Sequence, residues 1–179
     1  MSESVLVAYA TRGGSTREVA DAVAATLRTQ GLKVEVRPVE SVDSILPYSA
    51  VVLGAPIYYG HWHKDMFRFI TQHTVALITR PVAIFALGPV HPDPEEMKSA
   101  KVVIDKALAQ FLWLTPVAGE VFVGRYDPST MNPFERLLLK LPGSPLRKIS
   151  ASDQRDWAAI RAWSESLAST LKPLVAANA

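Results

Sequence analysis

A loop rich in glycine and hydroxyl groups lies near the start of the chain, at Thr11-Arg12-Gly13-Gly14-Ser15-Thr16. Its two adjacent glycines allow the backbone to turn its N–H groups inward. The hydroxyls of Thr11, Ser15 and Thr16 are further hydrogen-bond donors. A helix is predicted from Ser15 to Gln30, so the positive end of its dipole would face the loop. These residue types in this order suit the binding of a phosphate monoester.

Other phosphate-binding motifs fit this loop less well. It lacks the Lys-Ser/Thr ending of a P-loop, which disfavours nucleotide triphosphate hydrolysis. It also lacks the three-glycine spacing of the dinucleotide fingerprint. A structural role is the alternative, since a strand-to-helix turn often needs glycine and a hydroxyl cap without binding anything. Ser15 followed by Glu18 also has the spacing of a capping box at the start of the helix.

The loop belongs to an alternation of short apolar runs and longer amphipathic stretches, which is typical of βαβ units on a parallel sheet. Strands are predicted at Val5 to Tyr9, Lys33 to Pro38, Ala50 to Ala55, Pro81 to Leu87 and Val117 to Val123. Helices are predicted at Ser15 to Gln30, Lys64 to His73, Glu95 to Phe111 and Asp153 to Leu171, with a turn or short helix at Ser41 to Leu46. Ligands bind at the carboxyl ends of the strands in such sheets. The first loop and those after the third and fourth strands are therefore the candidate binding loops.

The first loop resembles the T-x-x-G-x-T phosphate loop of flavodoxins, and the five-strand alternation resembles their fold. More narrowly, Thr11 to Glu18 together with Gly54-Ala55-Pro56-Ile57-Tyr58-Tyr59-Gly60-His61-Trp62-His63 is similar to the flavodoxin-type, menaquinone-dependent protoporphyrinogen IX dehydrogenases. The resemblance extends over nearly the whole chain, including Arg125-Tyr126 and Phe134-Glu135-Arg136. It implies an α/β three-layer sandwich around a doubly wound five-stranded parallel sheet of order 2-1-3-4-5, with FMN as the cofactor.

In that family the second and third loops flank the isoalloxazine ring, so the resemblance implies a set of residues around FMN. The expected phosphate contacts are Thr11, Arg12, Gly13, Gly14, Ser15 and Thr16. The expected ring contacts are Pro56, Ile57, Tyr58, Tyr59, Gly60, Trp62, Leu87, Gly88 and Val90. Tyrosine and tryptophan side chains can stack on a flat ring, and Gly60 lets a backbone group approach flavin N5. Ordinary core packing is the alternative for these aromatic residues.

The histidines are candidates for acid–base chemistry. His61 and His63 are the candidate catalytic residues, because histidine titrates near neutrality and can exchange a proton with flavin or substrate. A metal site is not expected, since no acidic or histidine partner at helical spacing completes the pair. His91, in the third loop, is a further candidate for lining the site. His73 is expected on a solvated helix face.

Composition limits the remaining possibilities. The 179 residues, of which 49% are hydrophobic, suit a single domain over residues 1–179. The absence of cysteine excludes disulfides, thiolate chemistry and cysteine-ligated metal centres, so redox work must belong to a bound organic cofactor. The net charge of +2 is too small to indicate nucleic acid. We expect a cytoplasmic protein, because the sequence shows neither a signal-peptide pattern nor an apolar stretch long enough to span a membrane.

An insertion is predicted over residues 124–150, between the last strand and the last helix. Its apolar segment, Phe134 to Leu141, has basic flanks, and this composition suits peripheral membrane contact near a lipid quinone through residues 133–142. Packing on its own domain or in a homodimer is the alternative. A basic rim would attract the propionates of a porphyrinogen. Its candidates are Arg12, Arg17, Arg125, Arg136, Arg147 and Lys148.

The leading hypothesis is an FMN enzyme that dehydrogenates protoporphyrinogen IX or a similar reduced substrate and passes electrons to a quinone. The second is an electron-transfer flavodoxin that acts on a redox partner protein. Such carriers are typically acidic, whereas this chain is mildly basic. The third is a flavodoxin-like binding module that has lost its flavin. The third loop has few polar and basic residues to meet an anionic tetrapyrrole, which leaves the substrate open.

Overall fold

The computed structural model describes residues 4–130 and 151–177 of the chain. Its centre is a sheet of five parallel strands: β1 (Ser4–Tyr9), β2 (Lys33–Pro38), β3 (Ala50–Tyr58), β5 (Val82–Leu87) and β6 (Ala118–Phe122). Their order across the sheet is β2-β1-β3-β5-β6. Since β5 and β6 are the fourth and fifth of the parallel strands along the chain, the predicted order 2-1-3-4-5 and the predicted fold class are confirmed.

Helices cover both faces of the sheet. They are α1 (Ser15–Thr29), α2 (Lys64–Gln72), α3 (Thr74–Ile78), α4 (Pro94–Leu108) and α5 (Trp157–Ala177), with 3-10 turns at Val39–Ser41 and Pro128–Thr130. One core cluster joins the sheet to α1 and α5, and the other joins its opposite face to α2, α3 and α4. The result is the three-layer sandwich that the sequence implies. Among the described residues, none of the helices combines the length and the apolar character needed to cross a membrane.

Strand β1 is fixed by burial on both of its faces. Val5, Leu6, Val7 and Ala8 have no exposed surface. Alternate side chains of a strand point to opposite faces, so Leu6 and Ala8 join one core cluster while Val5 and Val7 join the other. Burying a Val or Leu side chain contributes about 1.5–3 kcal/mol. The carboxyl end of β1, at Tyr9, is consequently held in a defined place at the sheet edge.

The stretch after Ala55 is a β-hairpin, whereas the sequence pattern predicts a loop there. Strand β3 continues to Tyr58, and the short strand β4 (His61–Trp62) pairs with it antiparallel. The two turn residues, Tyr59 and Gly60, have φ angles of 51° and 73°. Positive φ at both central residues is the geometry of a type I′ turn, which suits the twist of a two-residue hairpin. The hairpin gives the second binding loop a hydrogen-bonded frame.

A second, two-stranded sheet joins the two ends of the predicted insertion. Strand β7 (Arg125–Tyr126) follows β6, and β8 (Ser152–Asp153) precedes α5. The two strands pair antiparallel. The predicted helical segment Phe134 to Leu141 lies outside the described residues, and the assignment of residues 1–179 to one domain stays a prediction.

His73 does not lie on a solvated helix face, and the sequence prediction for it is wrong. It lies between α2 and α3, is 8% exposed, and its ring centroid is 4.5 Å from that of Phe69. Its Nε2 atom is buried with no hydrogen-bond partner in the described part of the chain. Burial lowers the pKa of His73, and a hydrogen bond with the backbone of Val42 opposes this shift only in part. The neutral imidazole is therefore the favoured form in the folded protein.

The stability of the protein is expected to fall as the pH drops below about 6.5, the ordinary pKa of histidine. The unfolded chain binds a proton there more readily than the folded chain, so acid favours unfolding. The variant His73→Phe keeps a ring against Phe69 and removes the titrating group. Thermal unfolding between about pH 8 and about pH 5 should show a smaller loss of stability in the variant than in the wild type. Part of the loss should persist in the variant, because burial also lowers the pKa of His63. Equal losses in both proteins would contradict the burial of a neutral His73.

Candidate functional site

Four loops meet at one edge of the sheet, because parallel strands all end there. They follow β1, β3, β5 and β6. A cavity of about 270 Å³ lies among them. Its walls are formed by Ser15, Pro56, Ile57, Tyr58, Tyr59, Leu87, Gly88, Pro89, Val90, Gly124, Arg125 and Tyr126. The start of α1 thus adjoins a cavity with mainly apolar walls.

The loop between β1 and α1 is held together by its own threonine. Gly14 has a φ of 84° and occupies the N-cap position of α1. Its N–H donates to Oγ1 of Thr11 (3.0 Å), and its carbonyl accepts the first helical hydrogen bond, from the N–H of Glu18 (3.2 Å). Glycine adopts this positive φ without strain. Ser15 is the first helical residue, so the predicted capping box of Ser15 and Glu18 is wrong.

The first turn of α1 carries unpaired polar groups. The N–H groups of Ser15, Thr16 and Arg17 have no acceptor inside the helix, as at every helix start. The side chain of Thr16 is fully buried, and its hydroxyl has no hydrogen-bond partner within residues 4–130 and 151–177. An unpaired buried hydroxyl costs about 1–3 kcal/mol. A phosphate oxygen at this turn would satisfy the hydroxyl and the amides together, so the residues present fit the phosphate of FMN.

The predicted FMN contacts fall into two groups. Those that line the cavity are Ser15, Pro56, Ile57, Tyr58, Tyr59, Leu87, Gly88 and Val90. The other residues of the first loop, 11–14 and 16, are not part of the cavity wall. Trp62 is 3% exposed, its Nε1–H donates to the carbonyl of Ala55 (3.3 Å), and its ring packs edge-on against Phe67 at 5.9 Å. Trp62 therefore lies in the core, as the alternative of ordinary packing predicts.

A second cavity of about 400 Å³ adjoins the first and shares three wall residues with it, Ile57, Gly88 and Pro89. Its other walls are formed by Gly60, Glu95, Glu96, Ser99, Ala100 and Val103. Most of these residues are small or apolar, whereas Glu95 and Glu96 place two exposed carboxylates at its wall. His91 is exposed and lines neither of these cavities.

The segment that follows β6 supplies three cavity residues, Gly124, Arg125 and Tyr126, that are absent from the predicted contact set. The N–H of Gly124 donates to the carbonyl of Pro89 (2.7 Å), which ties this segment to the third loop. The hydroxyl of Tyr126 is buried with no hydrogen-bond partner in the described part of the chain, and burial raises its pKa, so the phenol stays neutral. A signal exists in the sequence, since a Gly-Arg-Tyr run follows the last buried strand closely, at the sheet edge where ligands bind.

Arg12 and His63 both contact the ring of Tyr58. The guanidinium carbon of Arg12 lies 5.6 Å from the centroid of that ring, and the His63 ring meets it edge-on at 6.1 Å. His63 also caps α2, since its Nδ1 accepts from the N–H of Asp65 (3.3 Å). Burial lowers the pKa of His63 and favours its neutral form. His61 is exposed on β4, opposite Tyr58, and neither histidine is part of the cavity wall.

The basic rim expected from the sequence is partly neutralised. Arg125 pairs with Glu18 (3.2 Å) and Asp127 (2.6 Å), and Arg17 lies 3.8 Å from Asp21. Three further candidates lie outside the described residues: Arg136, Arg147 and Lys148. Within residues 4–130 and 151–177, no group of three or more His, Asp or Glu side chains is placed to hold a metal ion.

A doubly wound parallel sheet with a glycine-rich turn between its first strand and first helix, and an apolar cavity at the ends of the neighbouring strands, defines a flavodoxin-like protein. Residues 6–150 match the family model described as flavodoxin domain, and the chain belongs to that family. Membership of this family indicates FMN as the cofactor, in agreement with the sequence prediction.

Two curated relatives carry the same name, protoporphyrinogen IX dehydrogenase (quinone). The relative from Escherichia coli K12 is 33% identical over 93 residues, which is 51% of this chain and 51% of that protein. The chain therefore matches about half the length of this relative. The relative from Leishmania major is 28% identical over 176 residues, which covers 93% of this chain and 75% of that protein.

The fold is also similar to that of solved flavodoxins. A flavodoxin from the domain Archaea superposes with a TM-score of 0.58 at 16% identity, covering 94% of this chain and 99% of the archaeal one. At this identity the likeness supports the fold alone.

Replacing Thr16 with Val is expected to affect the apoprotein and the cofactor complex in opposite directions. Without the unpaired buried hydroxyl, the apoprotein should be at least as stable as the wild type. FMN affinity should fall about tenfold or more, because a hydrogen bond to a charged group is worth about 1.5–3 kcal/mol. Thermal unfolding of the apoprotein and fluorescence titration with FMN measure the two effects.

Thr26→Val is the matched control on the same helix. The hydroxyl of Thr26 donates to the carbonyl of Ala22 (3.1 Å) and lies away from the first turn, so FMN affinity should not change. If Thr16→Val bound FMN as tightly as the wild type, the buried hydroxyl would have no role in holding the phosphate.

Proposed function

We propose that this chain is an FMN-dependent oxidoreductase that dehydrogenates protoporphyrinogen IX, or a similar reduced substrate, and passes the electrons to a quinone. The observation that supports it most is the buried, unpaired Thr16 hydroxyl at the start of a helix that adjoins an apolar cavity. The shared name of the curated relatives from Escherichia coli K12 and Leishmania major supports the substrate class and the acceptor.

In this proposal the chain holds the two ends of FMN with different groups. The first turn of α1 would hold the phosphate, with the hydroxyl of Thr16 and the free amides of that turn as donors. Arg12 and Gly13, in the loop before this turn, would supply further contacts, and the Thr11 hydroxyl keeps the loop closed through Gly14. The residues around the cavity of about 270 Å³ would hold the ring. Bound FMN supplies reversible electron and hydride transfer, while the protein supplies position and electrostatics.

The walls of the first cavity suit a flat, largely apolar ring. Ile57, Pro89 and Val90 exclude water from its faces, and Tyr58 offers an aromatic surface. The buried hydroxyl of Tyr126 is a neutral donor for a polar edge of the ring. Tyr59 is 72% exposed at the hairpin turn, so it stands where a second molecule would approach.

The second cavity is the proposed place for the quinone. It adjoins the first across Ile57, Gly88 and Pro89, and its walls include Ala100 and Val103. The carboxylates of Glu95 and Glu96 disfavour an anionic tetrapyrrole there and leave a neutral ring unaffected. Each two-electron oxidation of the porphyrinogen would reduce one quinone to the quinol, with two protons passing to the acceptor.

The test is anaerobic incubation of the purified, FMN-loaded protein with protoporphyrinogen IX and a water-soluble naphthoquinone. Protoporphyrin fluorescence should rise, with quinol formed in step, at a rate well above that of substrate and quinone without protein. The flavin-free protein is the control for the cofactor. FMN-loaded protein that forms no protoporphyrin with any quinone would overturn the substrate assignment, and rapid electron exchange with a ferredoxin-type reductase in that case would favour an electron carrier.

We also propose the proton-exchange role for His61, with His63 as the second candidate. His61 is exposed and free of the capping function that His63 has, so His61→Gln should not disturb α2. Turnover should fall, because the group proposed to exchange the proton is lost, while FMN affinity stays as in the wild type. Steady-state rates and fluorescence titration with FMN measure the two effects. Wild-type turnover in both His61→Gln and His63→Gln would exclude histidine from the proton transfer.

Membrane contact through residues 133–142 and homodimer formation stay predictions, since that segment lies outside the described residues.

A further inference from the structure

Arg155 is a buried cation in the segment between β8 and α5. Its side chain is 2% exposed. The guanidinium donates hydrogen bonds to the carboxylate of Asp153 through Nε (2.8 Å) and Nη2 (2.5 Å), and its central carbon lies 4.6 Å from the centroid of the Trp157 ring. The hydrogen bonds that Arg155 donates to the carboxylates of Asp153 and Glu18 raise its pKa, so it is fully charged. A charge buried in this way is tolerated because every side of it is paired.

Two further bonds of Arg155 reach the first turn of α1. Nη1 donates to the carbonyl of Ser15 (3.2 Å), and Nη2 donates to the carboxylate of Glu18 (2.6 Å). These partners precede Arg155 by 140 and 137 positions in the sequence. Ser15 is also a wall residue of the first cavity, and Thr16, with its unpaired hydroxyl, follows it directly. The planar guanidinium of Arg155 therefore fixes the position of the first turn of α1 relative to β8.

The other strand of the small sheet, β7, is also bonded to the carboxylate of Glu18. Arg125, on β7, donates to Glu18 at 3.2 Å, and it lies opposite Asp153 in the pairing of β7 with β8. The carboxylate of Glu18 is thus paired with two guanidinium groups, in the turn where a phosphate dianion would bind. A lone carboxylate there would repel the phosphate, and pairing with Arg125 and Arg155 reduces that repulsion.

We propose that Arg155 is a positioning residue for the phosphate end of the cofactor: it holds the first turn of α1 in the geometry that receives a phosphate and neutralises Glu18 beside it. This inference rests on the proposed binding of FMN at that turn. Arg155 acts through Ser15 and Glu18, so its loss should weaken binding of the phosphate group and leave binding of the ring nearly intact.

The experiment compares FMN with riboflavin, which carries the same ring without the phosphate. Fluorescence titration of the apoprotein gives both dissociation constants for the wild type, Arg155→Met and Arg155→Lys. In Arg155→Met the constant for FMN should rise about tenfold or more, while that for riboflavin changes by less than about threefold. Arg155→Lys keeps the charge without the fork and should give an intermediate loss for FMN.

Arg80→Met is the matched control. Arg80 is also an arginine that holds backbone carbonyls together, those of Tyr48 (2.7 Å), Ala76 (2.7 Å) and Leu46 (3.2 Å), but it lies at the amino end of β5, at the opposite edge of the sheet. Its loss should lower thermal stability and leave the ratio of the two dissociation constants as in the wild type. A merely structural role for Arg155 would give this same result.

The possible failures are distinguishable. If the wild type binds neither FMN nor riboflavin, the proposed cofactor site and this inference both fall. If the wild type binds FMN and both Arg155 variants keep its ratio of constants, the inference alone is overturned. Should Arg155→Met fail to fold, Arg155→Lys decides, because equal weakening of FMN and riboflavin contradicts a role at the phosphate and selective weakening of FMN supports it.

Discussion

The proposed site depends on the first turn of α1, in which hydrogen-bond donors outnumber acceptors. At the start of α1, free backbone amides adjoin a threonine hydroxyl that is buried and unpaired within the described residues. Burial of β1 on both faces and of the apolar side of α1 holds this turn at the sheet edge. Because the hydroxyl is buried and the described residues offer it no partner, a bound anion is the proposed group that completes the turn. The neighbouring cavity would then hold the organic group attached to that anion.

Two kinds of contact hold the cavity walls: hydrogen bonds within one hairpin, and hydrogen bonds between segments that are distant in the sequence. The hairpin of β3 and β4 sets the second loop through its own turn at Tyr59 and Gly60. The third loop and the segment after β6 are joined by the hydrogen bond from Gly124 to Pro89. The small sheet of β7 and β8 is bonded through two arginines to Glu18 in the first turn of α1. The two ends of the segment between β6 and α5 therefore adjoin the first turn of α1 and the cavity beside it.

Local patterns were enough to predict the sheet, because strands buried on both faces read as continuous apolar runs such as Val5 to Tyr9. The turn between β1 and α1 also follows from the sequence, because adjacent glycines separate an apolar strand from an amphipathic helix, whereas the phosphate contacts assigned to it stay a prediction. The same patterns do not predict where individual side chains lie. An indole can stack on a ligand or fill a core, and composition does not decide which Trp62 does. The hairpin was missed because Tyr59 is not a residue type that normally signals a turn with positive φ. Gly124 and Tyr126 reach the cavity wall, and Arg155 reaches the first turn of α1, only through contacts between distant parts of the chain, which periodicity does not report.

In the proposed site the phosphate, and not the ring, is the main determinant of cofactor choice. Family membership supports FMN as the cofactor, and the turn at residues 15–17 is the proposed physical basis of its binding. Calorimetric titration of the wild-type apoprotein with FMN and with riboflavin tests this directly. The account predicts that FMN binds at least about tenfold more tightly, since several charge-assisted hydrogen bonds are at stake. Equal affinities for the two flavins would contradict it.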